Sequence, residues 1–192
     1  MTKQPVLQSV LWLVSGVLIG ALLVMQSKYP LHAQSVAAPP ADLKALEAEV
    51  TRLKSLVPSD SHIMMDVQWH WTNLWFAAQA KNWPLAQYYF NEMHGHIQWL
   101  IKKSPTIKSV GPEKESVNVK GIFEAIDTSS LADVNAAIAM KDSVKFAATY
   151  KTMLESCYSC HKSVGRPYLR PTIPKTPVQS ALDYDPNAVS PQ

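Results

Sequence analysis

Cysteine is nearly absent: two residues in 192, which excludes a disulfide-dense scaffold. Glycine is scarce at six. A surplus of positive charge is also lacking. The formal charge is +3. Lys3 and Lys28 precede residue 34 and no acid does, so beyond that point 16 basic residues face 15 acidic ones. A near-neutral domain carries no basic stripe, and nucleic acid is not an expected partner. No segment alternates apolar and polar with period two, so no sheet is expected. No catalytic dyad or triad is visible either, and the chain is not expected to be an enzyme. What is abundant is apolar residue (47%, against 17% charged) and proline, with 14. That balance supports a packed core and excludes global disorder.

The N-terminus has one uninterrupted apolar run, from Val10 to Met25, behind Lys3. The pattern is that of a signal peptide, with Leu31-His32-Ala33 as a small-residue cleavage site. Extended back to Val6 the run reaches 20 residues, enough to cross a bilayer. Residues 1–33 are therefore read as a cleaved signal or a retained membrane anchor. Either one delivers the remainder to the periplasm or the outer face of the cytoplasmic membrane, and Lys3 fits the positive-inside rule.

Residues 34–58 read as a linker and a short heptad helix. Leu43, Leu46, Val50, Leu53 and Val57 recur at spacings of three and four. The segment 41–57 is a stalk helix, a helix lying on the main domain, or a self-association element.

Four helical stretches follow in residues 59–165. The first opens at the capping cluster Ser59-Asp60-Ser61 and runs to about Lys81. Asn82-Trp83-Pro84 breaks it and starts the second, which reaches Lys103 with two lysines in its last turn. Thr106 to Glu115 is a loop. The third spans Val117 to Met140, with a weak middle at Asp127 to Ser130 where a kink is expected. Asp142 or Ser143 caps the fourth, which reaches Ser163, and Gly165 sits where a helix end favours glycine. Short connections make each pair antiparallel. The expected fold class is all-α, a four-helix up-down bundle. Residues 166–192 form a Pro-rich extended tail, disordered or draped over the bundle.

The last helix carries Cys157-Tyr158-Ser159-Cys160-His161. This C-x-x-C-H spacing is the attachment signal for one covalently bound haem c. Two thiols join two neighbouring vinyl groups, and the adjacent histidine then falls under the iron as the proximal ligand. A redox-active disulfide is the weaker reading, because such motifs open a helix beside a βαβ unit. A zinc site would need a second ligand pair, and no second cysteine pair exists.

A single C-x-x-C-H in the last helix of a four-helix domain resembles the class II c-type cytochromes, the cytochrome c-prime group. The likeness covers about Ser59 to Gly165. It implies one of two behaviours. In one, the sixth iron position has no protein ligand and takes NO or CO. In the other, a first-helix methionine fills it and the protein carries electrons to redox partner proteins. The heptad segment, the Pro-rich tail and the Trp-rich first helix depart from the group.

Helix lengths narrow the residue facing the iron. His161 lies 18 residues after Ser143, about 27 Å along the axis. The same count back from Lys81 gives Ile63. The candidates nearby are Met64, Met65, Val67, His70 and Trp71, with His70 as the leading distal ligand, Met64 and Met65 as alternatives, and Val67 as an apolar cap. Pairing across the first turn puts His96 level with His70. Arg166 is a candidate propionate contact, with Lys162 and Arg170 near it. His94 reads as a surface residue, and Asn73 as a buried polar group. The expectation is an exported monohaem cytochrome that transfers single electrons. The alternatives are a gas binder, or a haem-bearing scaffold subunit of a larger redox complex.

Overall fold

The computed structural model describes residues 43–178 and 182–189. The expected export segment and the start of the linker lie outside them. The chain divides into two units, Met1–Leu56 and Val57–Gln192. Of the first unit, the described part is one helix, α1 (Leu43–Leu56). Its apolar seam, Leu43, Leu46, Val50 and Leu53, is exposed along its length. Among the described residues no helix is long and apolar enough to cross a membrane.

The second unit is mostly helical. It contains α2 (Asp60–Gln79), α3 (Trp83–Lys103), α4 (Val119–Ile126), α5 (Ala132–Ala139) and α6 (Ser143–Ser163). The starts follow the caps that the sequence carries. Ser59, Asn82, Asn118 and Asp142 each accept a first-turn backbone N–H on the side-chain oxygen. The weak stretch between α4 and α5 is a single π turn, Asp127–Leu131, so these two helices form one element with a bulge.

One expectation is corrected. The loop after α3 is closed by a small antiparallel ladder, β1 (Ile107–Lys108) on β2 (Ser116–Val117), with Ile107 opposite Val117. Two-residue strands are too short to show an alternating pattern. The turn at Gly111-Pro112 brings them together, and Ser109 N–H donates to the Glu115 carbonyl.

The α2–α3 and α5–α6 connections are built alike. Each helix ends in a Schellman motif, with Lys81 (φ 59°) and Lys141 (φ 57°) in the left-handed region. Asn82 N–H then returns to the Ala77 carbonyl, and Asp142 N–H to the Ala137 carbonyl. The same Asn or Asp caps the next helix, so three residues reverse the chain.

The core lies among α2, α3, the α4–α5 element and α6. Leu74, Tyr89, Leu131, Val134, Phe146 and Tyr150 are fully buried in it. Trp71 and Tyr150 lie face to face, with centroids 4.4 Å apart and planes 8° apart. The Tyr150 hydroxyl donates to the Trp71 carbonyl at 3.0 Å. Trp75 meets Phe146 one turn along. Both pairs obey one antiparallel register between α2 and α6.

Lys141 is exposed and pays for its Cβ in a left-handed position. Lys141→Gly should stabilise the fold by about 1 kcal/mol, the left-handed penalty less the greater chain entropy of glycine. A thermal melt should show the midpoint rising by several degrees; a fall would mean that the lysine side chain is needed there.

Candidate functional site

On α6 the core-facing residues and the cysteine motif share one face. At about 100° per residue, Phe146, Tyr150, Met153, Leu154, Cys157, Cys160 and His161 fall within an arc of about 120°. The first four are buried. The last three are half-buried, and Cys157 still packs against the core. The motif therefore continues the interior face of α6 beyond the point where the continuous core stops.

At this end four more residues are buried outside the continuous core: Ile63 near the start of α2, Leu100 near the end of α3, Val119 at the start of α4, and Val164 after α6. Between the two apolar groups lies a less protected level with Met64, Ile97, Ile126 and Cys157, all half-buried. Beside it, between α4 and α6, runs an open groove of about 420 Å3 lined by Ile122, Ala125, Ile126, Ser156, Ser159 and Cys160, among others. The π turn borders it: Ser130 Oγ lies 2.9 Å from Ser156 Oγ, next to Cys157.

Cys157 and Cys160 are not joined in a disulfide. Burial, reinforced by Cys160, pushes the Cys157 thiol up to about 12. Burial also raises Cys160. A redox-active C-x-x-C pair has the opposite character, an acidified thiol at a helix start.

The histidine of the motif is held by the chain that follows it. His161 Nδ1 lies 2.8 Å from the Leu169 carbonyl oxygen. A carbonyl only accepts, so Nδ1 carries the proton, and Nε2 keeps its lone pair as the ligating nitrogen. Three features bring Leu169 to that place. Gly165 (φ 75°) ends α6 in a Schellman motif, with Arg166 N–H on the His161 carbonyl. Tyr158 within the motif donates from its hydroxyl to the Pro167 carbonyl at 3.1 Å. Leu169 N–H closes a turn on the Arg166 carbonyl. The β1–β2 loop braces the same corner through Val110 N–H on the Val164 carbonyl.

The tail is thus not simply extended. After 166–170 it returns to the α2–α3 face, where the Tyr184 hydroxyl donates to Asn73 Oδ1 at 2.6 Å and its ring meets Phe76 and Tyr89. Asn73 is fully buried, as expected. No sequence signal indicated that Leu169 would hold His161 through its backbone, or that Tyr184 would seat on Asn73.

The other candidates lie as follows. Met64 is half-buried, seven residues before Trp71, just as Cys157 is seven after Tyr150. The α2–α6 register therefore brings Met64 level with Cys157. Met65 is exposed. Val67 is buried in the core. His70 has its ring neighbours on α2 and α3: Trp69, Tyr88, Tyr89 and His96, the last stacked at 5.2 Å. The predicted levelling of His70 with His96 is therefore present. Burial, then His96, holds the His70 imidazole below its ordinary value, opposed by Glu92 and Asp66.

His94 differs from its expected surface role. It is half-buried, with Nε2 2.9 Å from Asp127 Oδ1 in the π turn and its ring stacked on Phe90. Arg166 is half-buried beside His161, whereas Arg170 Nε donates to the Pro167 carbonyl and Lys162 lies over the Tyr158 ring.

Comparison of the chain with protein-family models, curated proteins and solved structures finds no match.

A Cβ at Gly165 would lie 2.2 Å from the Val110 carbonyl oxygen, in a backbone conformation that already disfavours it. Gly165→Ala should cost more than the 1–2 kcal/mol of the left-handed penalty alone, about 2–4 kcal/mol. Chemical denaturation checks the cost. Histidine NMR should show His161 Nδ1–H losing its protection from exchange as the 166–169 turn shifts.

Proposed function

We propose that this chain is an exported monohaem c-type cytochrome that carries single electrons. The observation that carries the reading is the state of His161. Its Nδ1 is committed to Leu169, and its Nε2 is left as a ligand beside two unjoined cysteines one turn apart. The residues fit a covalent haem. Cys157 and Cys160 would hold it: each S–H adds across a vinyl C=C, sulfur to one carbon and hydrogen to the other, with no oxidant and no leaving group. His161 would be the axial ligand, oriented by the Leu169 carbonyl, which also raises its basicity. The half-buried apolar level around Met64 and Ile126 supplies a wall of low polarity, and Arg166 is the nearest candidate for a propionate. When bound, haem c supplies a one-electron iron couple, and the protein sets its potential and access.

The four-helix up-down arrangement of a class II cytochrome accounts for the helix order and the motif at the end of α6. For the sixth position, the α2–α6 register favours Met64 over His70, whose ring neighbours lie on α2 and α3. A methionine there would raise the potential relative to a second histidine. The same half-buried level also accommodates a position without a protein ligand, the gas-binding alternative. The run Val10–Met25 behind Lys3 supports export to the periplasm or the outer membrane face, as a cleaved or anchored form. The exposed seam of α1 supports pairing with a second copy through residues 43–56, or seating in a larger redox assembly.

The test is the absorption spectrum of the haem-matured protein, ferric and dithionite-reduced, before and after CO. The expected result is a low-spin spectrum unmoved by CO, turned high-spin by Met64→Ala and unaffected by His70→Ala. A spectrum that shifts sharply with CO would move the reading to gas binding. Cys157→Ser with Cys160→Ser should abolish covalent haem; haem retained through acid–acetone extraction in that variant would sink the proposal. Sedimentation of the chain should show the mass halved by Leu46→Glu with Val50→Glu. An unchanged mass would remove the α1 pairing.

A further inference from the structure

Among the described residues of the second unit, two buried imidazole nitrogens have no hydrogen-bond partner: His70 Nδ1 and His96 Nδ1. They belong to one cluster. His70 on α2 faces Glu92 and His96 on α3, and one ligand atom from each of the three lies within 4.8 Å of the others. All three side chains are half-buried. Glu92 and His96 are four residues apart, so they stand on one face of α3, one above the other. The nearest acid to His96 Nδ1 beyond the trio is Asp66, whose Oδ2 is 3.9 Å away, too far for a hydrogen bond. These two nitrogens therefore lack the partners that buried polar groups usually have.

We infer that His70, Glu92 and His96 form a site for a divalent transition-metal ion, bridging α2 and α3 and independent of the cysteine motif. Two imidazoles and one carboxylate make a donor set suited to zinc or copper(II), with the remaining positions open to water. Ligand atoms on such an ion sit about 3.3 Å apart, the edge of a tetrahedron with bonds of about 2.05 Å. The three ligand atoms, now within 4.8 Å of one another, would have to draw together to that spacing on binding. An ion held through the two Nδ1 atoms would satisfy a buried nitrogen on each helix. It would also tie α2 to α3 on the face where the tail lays Tyr184 against Tyr89.

Zinc chloride titrated calorimetrically into the full chain tests the site. The expected result is one ion per chain, with affinity falling by more than about a hundredfold in His96→Gln and in Glu92→Gln, a larger loss than removal of an outer partner usually causes. Both substitutions lie on half-exposed positions, and circular dichroism checks that the helices persist. Thermal melts give a second readout: zinc should raise the midpoint of the parent chain and leave His96→Gln unmoved, since only a ligand held by the folded state stabilises it. Binding that survives both substitutions in folded protein would overturn the inference and assign the ion to other groups. Absence of binding up to millimolar zinc would overturn it outright.

Discussion

The register between α2 and α6 is fixed by one contact, the parallel stack of Trp71 on Tyr150 with the Tyr150 hydroxyl on the Trp71 carbonyl. The stack adds about 0.5–1.5 kcal/mol beyond its buried area. Its larger effect is positional. The tyrosine oxygen is fully buried, so sliding either helix by a turn would leave it unpaired at a cost of about 1–3 kcal/mol. Everything counted along α6 from that point inherits its level: Met153 and Leu154 in the core, Cys157 opposite Met64, and His161 at the open end. Burial holds the Tyr150 hydroxyl neutral by raising its pKa well above the ordinary value, so the donor keeps its proton.

Much of this was legible in the chain. The helix starts at Ser59, Asn82 and Asp142 could be read because a cap is a local interaction between a side chain and its own next turn. The same holds for Gly165 at the end of α6, and for the weakness at Asp127 that the fold resolves as a π turn. The levelling of His70 with His96 followed from simple counting across a tight turn.

What escaped is non-local or carried by backbone. The β1–β2 pair is too short for a period, and the Leu169 carbonyl has no side-chain signature. His94 reads as a surface residue until Asp127, 33 positions away, is brought beside it. Helical counting also assigns a level more securely than a direction. His70 lies within two turns of the counted position, yet its ring packs toward α3.

The bond between His161 and Leu169 sets an order of events for a newly made chain. Residues 142–163 contain the cap of α6, the helix itself and Tyr150, through which it docks, so the helix can be in place while the remainder is still emerging. The imidazole is then free to rotate. Its orientation is settled only after eight further residues have appeared and Gly165 has turned them back. The turn after α6 therefore acts as a closing step, and a chain truncated after Ser163 would keep its helices while His161 remained unaimed.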